Sequence, residues 1–211
     1  MRIINEVNSF DPTGSLLLEK RGESDDFFAV LLLAACGKPE NARRITQQQA
    51  VESAREAAQD AFNSLSTELA AAIAEGGPVH AIPVCSSKAG GLIQQVADRR
   101  QIKLIRLTDK PRNPKHLAKD ADARAIDLFR TTLGQGGKPT PMVESSADQS
   151  LVVRIPITVS APLCLQCHGR ESEVSPETLA AIRQLYPDDK ALGYQLGDLR
   201  GIWRIRLPVA D

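Results

Sequence analysis

The stretch Ala161-Pro162-Leu163-Cys164-Leu165-Gln166-Cys167-His168-Gly169 constrains this chain more than any other, because it sets two thiols and an imidazole in the order Cys-x-x-Cys-His. The spacing has a chemical reason. Two thiols three positions apart can each form a thioether to one vinyl group of a haem, and the next residue then lies under the iron, where its imidazole can be the fifth ligand. Cys164 and Cys167 are thus the expected attachment points of a c-type haem, and His168 is its expected iron ligand. Blander readings are a thioredoxin-like redox pair, half of a zinc site, or a structural disulfide. A thioredoxin-like motif should follow a strand and open the first helix of a βαβ unit. This one follows the apolar run 151–159 late in the chain. A four-ligand zinc site needs a second Cys/His pair at short spacing, and the other cysteines and histidines, Cys36, Cys85, His80 and His116, are all isolated.

The N-terminal part bears on the same question, since c-type haem is attached outside the cytoplasm. Residues 1–26 are polar and end in Glu23-Ser24-Asp25-Asp26, an acidic approach to the nine-residue apolar run Phe27 to Ala35. That run is too short to span a bilayer as a helix but suits a signal-peptide core, with Lys20 and Arg21 as its basic group. Leu33-Ala34-Ala35-Cys36 resembles a lipoprotein cleavage box, which makes Cys36 the expected lipid-bearing residue. The competing reading is a short buried helix with an ordinary core cysteine. The division expected is a signal and lipobox region over 1–36, a tether over 37–40 and one folded domain over 41–211.

With 42% apolar residues, the chain can bury one sizeable core. Residues 1–35 hold three basic and six acidic groups, so residues 36–211 carry 23 basic against 20 acidic. That is no footprint for nucleic acid. From Asn41, a candidate N-cap, apolar residues at Val51, Ala54, Ala58, Phe62, Leu65, Leu69 and Ile73 predict one long helix that Gly76-Gly77 ends. A second helix over 79–100 places Cys85, Ala89, Leu92 and Val96 on one stripe, turning the Cys85 thiol inward. A half-buried strand over 102–107 follows, then a helix over 120–133 around Ala125, Ile126, Leu128 and Phe129. Residues 141–145 and 151–159 read as paired strands, with Pro156 at an edge or bulge. Ser175-Pro176-Glu177 caps a short helix, residues 188–199 form a loop holding Tyr194, and 201–207 is the last strand.

Cys85, the loop Arg112-Asn113-Pro114, Cys164-Leu165-Gln166-Cys167-His168 and Gly193-Tyr194-Gln195-Leu196-Gly197-Asp198-Leu199-Arg200-Gly201 together carry a family resemblance over about residues 60–208. The chain resembles the single-haem c-type proteins of a bacterial family of unknown function, found free or as sensor regions. The resemblance implies an α+β, Per-Arnt-Sim-like fold: an antiparallel sheet with flanking helices, here behind a long N-terminal helix. It also implies haem iron held between His168 and Cys85. The chain departs from that pattern at His80, Pro83 and Lys115-His116. Should Cys85 be only a small buried hydrophobe, His80, His116 and Met142 are the remaining candidate ligands.

Arg106 and Arg112 are ordinarily solvated charges, but either could pair with a haem propionate. The functions expected are an exported redox or gas sensor, a periplasmic one-haem electron carrier, or a non-haem lipoprotein with structural cysteines. The first two need an unidentified redox or signalling partner, and contact with the membrane is expected only through the lipid anchor. With Cys85 closing the sixth position the iron has no vacant site for a substrate, and no catalytic triad or carboxylate pair competes, so enzymatic turnover is not expected.

Overall fold

A capping box opens the first helix. The Thr46 hydroxyl accepts the Gln49 N–H at 3.2 Å, and the Gln49 side chain accepts the Thr46 N–H at 2.9 Å. The computed structural model describes residues 45–208, within the unit Asn41–Asp211. The signal region, Cys36, the tether and Asn41 lie outside the described residues. Helix α1 spans Gln47–Arg99 and is interrupted, as its glycines predict, at Gly76 and Gly77; Gly77 has φ 71°, a conformation that costs glycine little. The second arm folds back along the first. Arg100 reaches Asp60 at 2.7 and 2.9 Å and Glu56 at 3.0 Å, while Lys88 meets Glu68 nearer the turn.

The buried face of the first arm differs from the expected stripe. It consists of Ala50, Ala54, Ala57, Ala58, Ala61 and Ala72, whereas Phe62 is 45% exposed. Methyl-sized side chains let this arm lie close against the second arm and the sheet, where a phenyl ring would hold them apart.

The sheet is antiparallel throughout, with strands β1 (Lys103–Leu107), β2 (Met142–Ser145), β3 (Leu151–Thr158) and β4 (Leu199–Leu207) in the order β1-β4-β3-β2. The other helices are α2 (Asp120–Gly134), α3 (Pro162–His168) and α4 (Pro176–Leu185), which makes the fold α+β. Alternation sorts the sheet into two faces. Leu104, Val153, Trp203, Ile205 and Leu207 pack against the α1 hairpin, and Leu107 and Ile202 pack against Ala125, Ile126 and Phe129 of α2. Leu128, expected in that second cluster, is 52% exposed, because it falls on the outer side of α2.

Pro156 lies in an inner strand, but β2 pairs only with residues 151–154 of β3. The proline therefore has a neighbour on one side only, close to the bulge between Ile157 and Thr158. On the α2 face, register-paired Arg154 and Arg204 converge on Asp122 at 2.7 and 2.9 Å, and Arg154 also binds Glu144 at 2.8 Å.

Candidate functional site

The Cys-x-x-Cys-His segment folds as α3, seven residues entered through Pro162, whose fixed φ suits the first helical position. Positions i, i+3 and i+4 of a helix share a face. Cys164, Cys167 and His168 therefore point to one side of α3, and the spacing in the sequence becomes a three-donor surface. The chain leaves the helix at Gly169, where a Cβ would sit 2.6 Å from the Leu165 carbonyl oxygen.

The loop after α4 holds the other side of the histidine. His168 Nδ1 lies 2.8 Å from the Ala191 carbonyl oxygen. A carbonyl only accepts, so Nδ1 carries the proton and Nε2 keeps its lone pair. Burial, reinforced by the charges of Arg200 and Arg112, holds His168 well below the ordinary histidine range and keeps it neutral. Two backbone bonds lock the same loop to the end of the helix: Gly193 N–H to the Gly169 carbonyl at 2.8 Å and Tyr194 N–H to the His168 carbonyl at 2.9 Å. The Tyr194 ring meets the imidazole edge-on, at 6.2 Å and 85°. Its buried hydroxyl has no aligned hydrogen-bond partner among the described residues.

Arg112 braces this arrangement from the loop after β1. Its guanidinium forks onto both Asp189 oxygens at 3.2 Å and donates to the Cys167 carbonyl at 2.6 Å, while Asp189 Oδ1 accepts the Ala191 N–H at 2.9 Å. One ion pair thus fixes both the helix that bears the histidine and the carbonyl that orients it.

The second arm of α1 presents Cys85, which is half-buried. Burial pushes its thiol up from the usual value; Arg106 opposes this, Glu68 adds to it and Arg112 opposes it. Cys167 is also pushed up by burial, is lowered by Arg112 and feels the charge of Cys85, so the two sulfurs share one electrostatic neighbourhood. Strand alternation puts Arg106 on the α1 face with Leu104. Burial and the nearby Arg200 bring its pKa down to about 10, which leaves it charged at neutral pH.

Of the alternative ligands, His80 pairs with Glu75 at 3.2 Å near the hairpin turn, and Met142 packs under α2 with the Leu107 and Phe129 cluster. His116 is the alternative that lies near Arg106 and Arg200, with its pKa lowered by burial and then by those two charges. Among the described residues no three His, Cys, Asp or Glu side chains gather as a zinc site would need, and Cys85, Cys164 and Cys167 form no disulfide. The cysteine and histidine donors, the free Nε2 and the surrounding guanidiniums suit a haem with its two propionates.

Sequence reasoning placed Cys85, Arg106, Arg112, Cys164, Cys167 and His168 in this neighbourhood, but it did not find Asp189, the Ala191 carbonyl or Arg200. Asp189 meets Arg112 across 77 positions, and no local pattern announces such a pair. Arg200 had a signal, since it stands in the motif Gly193 to Gly201 and is the second residue of β4.

No curated protein matches the chain. The chain is similar to a solved structure, that of the cyanobacterial heme-protein Tll0287, with 24% identity over 76% of this chain and 93% of that one and a TM-score of 0.55. A likeness of that degree speaks for a shared fold. Residues 40–208 match the Tll0287-like family, a span that takes in the α1 hairpin, the whole sheet and the motif helix. The chain belongs to the Tll0287-like family.

Proposed function

We propose that this protein carries one covalently attached haem c between α3 and the second arm of α1, and that it serves as an exported redox or gas sensor. The single observation that carries the reading is the hydrogen bond from His168 Nδ1 to Ala191, which leaves Nε2 free on the helix face that bears both thiols. Cys164 and Cys167 would each add across a vinyl group, sulfur to one carbon and hydrogen to the other. A bound haem would supply an iron that exchanges one electron, and His168 and Cys85 are the residues that would hold it. His168 Nε2 is one donor, held by the loop 189–194. Cys85 is the other, and its surroundings make it a conditional one: burial favours the neutral thiol, while Arg106 favours the thiolate. A donor so balanced would suit a sensor in which Cys85 binds the oxidised group more firmly than the reduced one.

Membership of the Tll0287-like family, with its heme-protein relative, supports the cofactor. The antiparallel sheet with β4 between β1 and β3 agrees with a Per-Arnt-Sim-like architecture. Attachment to the membrane rests on lipidation at Cys36, and no described helix is long and apolar enough to cross a bilayer. We assign no catalytic residue.

The experiment is an absorbance study of protein made with a c-type maturation system, with Cys85→Ala beside the wild type. A sensor of this kind should show a low-spin ferric spectrum that Cys85→Ala abolishes, together with ready carbon monoxide binding by the ferrous form. A one-haem electron carrier would keep both ligands in both oxidation states and exclude carbon monoxide. An unchanged low-spin spectrum in Cys85→Ala would move the sixth ligand to His116.

A further inference from the structure

We propose that Arg106 and Arg200 form a two-guanidinium cradle for the pair of carboxylates on the haem edge, and that Arg112 takes no direct part in holding them. The inference rests on the haem reading above and adds to it the residues that recognise the anionic edge.

The three guanidiniums near α3 are not equivalent. Arg112 is committed twice, to both oxygens of Asp189 and to the Cys167 carbonyl. Arg106 makes no hydrogen bond and meets no carboxylate among the described residues, although it is half-buried. Arg200 touches only neutral oxygens, Thr108 Oγ1 at 3.3 Å and the Lys110 carbonyl at 3.5 Å, and lies 5.2 Å from the Tyr194 ring centre. Asp189, whose charge reaches Arg200, is already forked by Arg112.

Two half-buried guanidiniums, one of which feels the charge of the other, are a costly arrangement unless an anion joins them. Three arginines against Asp189 leave two positive charges, and the two propionates of a haem supply two negative ones. The chemistry of the contact favours arginine, whose planar fork matches a carboxylate edge. Positions also agree. Arg106 lies within the electrostatic neighbourhood of Cys85, and Arg200 within that of His168, so each cation is near one of the proposed donors.

The test uses the matured holoprotein as wild type, Arg106→Gln, Arg200→Gln, the double variant, Arg106→Lys with Arg200→Lys, and, as a surface control, Arg183→Gln, an exposed arginine of α4 that pairs with Glu171. A pyridine haemochrome first confirms covalent haem in each. Resonance Raman then reads the propionate-bending band, and a spectroelectrochemical titration reads the midpoint potential. The cradle predicts a shifted propionate band in each Gln variant and a larger shift in the double. It also predicts a midpoint that falls stepwise as positive charge leaves the haem. The Lys pair should recover the potential but not the band, and Arg183→Gln should change neither. An unchanged propionate band in the double variant with full haem content overturns the cradle while leaving the haem reading intact. Should the double variant fail to mature, unchanged bands in both single variants overturn it equally. A wild type without covalent haem overturns the underlying reading instead.

Discussion

The arginines beneath α2 and those near α3 are treated differently by the chain. Beneath α2, Arg154 and Arg204 face each other across β3 and β4 and share Asp122, with Glu144 completing the set. Every buried charge there has a partner within the chain. Near α3, Arg106 and Arg200 have no carboxylate of their own, and Arg112 alone is paired. Both groups are built from the same residue type, so the difference lies in the anion. In the first the chain supplies it, as a structural cross-link would require. In the second, the proposed cradle, no carboxylate among the described residues meets Arg106 or Arg200, as a site for an external anion would require.

Asp122→Ala should have the largest effect, because it leaves the buried Arg154 and its neighbour Arg204 facing each other; the expected loss is about 3–5 kcal/mol in a urea titration. Asp189→Asn should cost about 2 kcal/mol, since Arg112 keeps its bond to the Cys167 carbonyl, and should broaden the spectrum of the bound haem as the loop 189–194 loosens. Arg106→Gln should cost no more than about 1 kcal/mol, because it removes one arm of a partly solvated contact and no buried ion pair. A loss at Arg106 as large as that at Asp122 would erase the distinction between the two groups.

The smallest effect concerns His116. Its folded pKa lies below the usual 6.5, first by burial and then through Arg106 and Arg200. Below that pH the unfolded chain takes a proton that the folded one resists, so this contribution is present above pH 6.5 and is lost as the pH falls. Denaturant midpoints compared at pH 7.5 and at successively lower pH should decline, and His116→Asn should flatten the decline.

Much of this was legible in the sequence. Gly76-Gly77 marked the reversal of α1, and Ser175-Pro176 marked the start of α4, because both are local chemistry. The Cys-x-x-Cys-His spacing pointed to the proposed haem without a structure. Helix faces were less legible: the alanine-lined arm of α1 contradicts a stripe drawn through Phe62, since close packing of two arms favours small residues over large apolar ones. The start of α1 was also misplaced, although Thr46 and Gln49 spell a capping box. Long-range pairings such as Arg112 with Asp189 and Arg154 with Asp122 are set by topology. With β4, the last strand, inserted between β1 and β3, they could not be inferred from any window of the chain.

The central claim is that Cys164, Cys167 and His168 present one helix face to a covalently held haem, with His168 turned by Ala191. Acid–acetone extraction of matured protein, followed by a pyridine haemochrome of the pellet, tests it most directly. The account predicts that one equivalent of haem stays with the polypeptide, that its haemochrome has the band position of two thioether links, and that Cys164→Ser with Cys167→Ser loses it. Complete transfer of haem to the organic phase, or stoichiometric haem in the double serine variant, would contradict it.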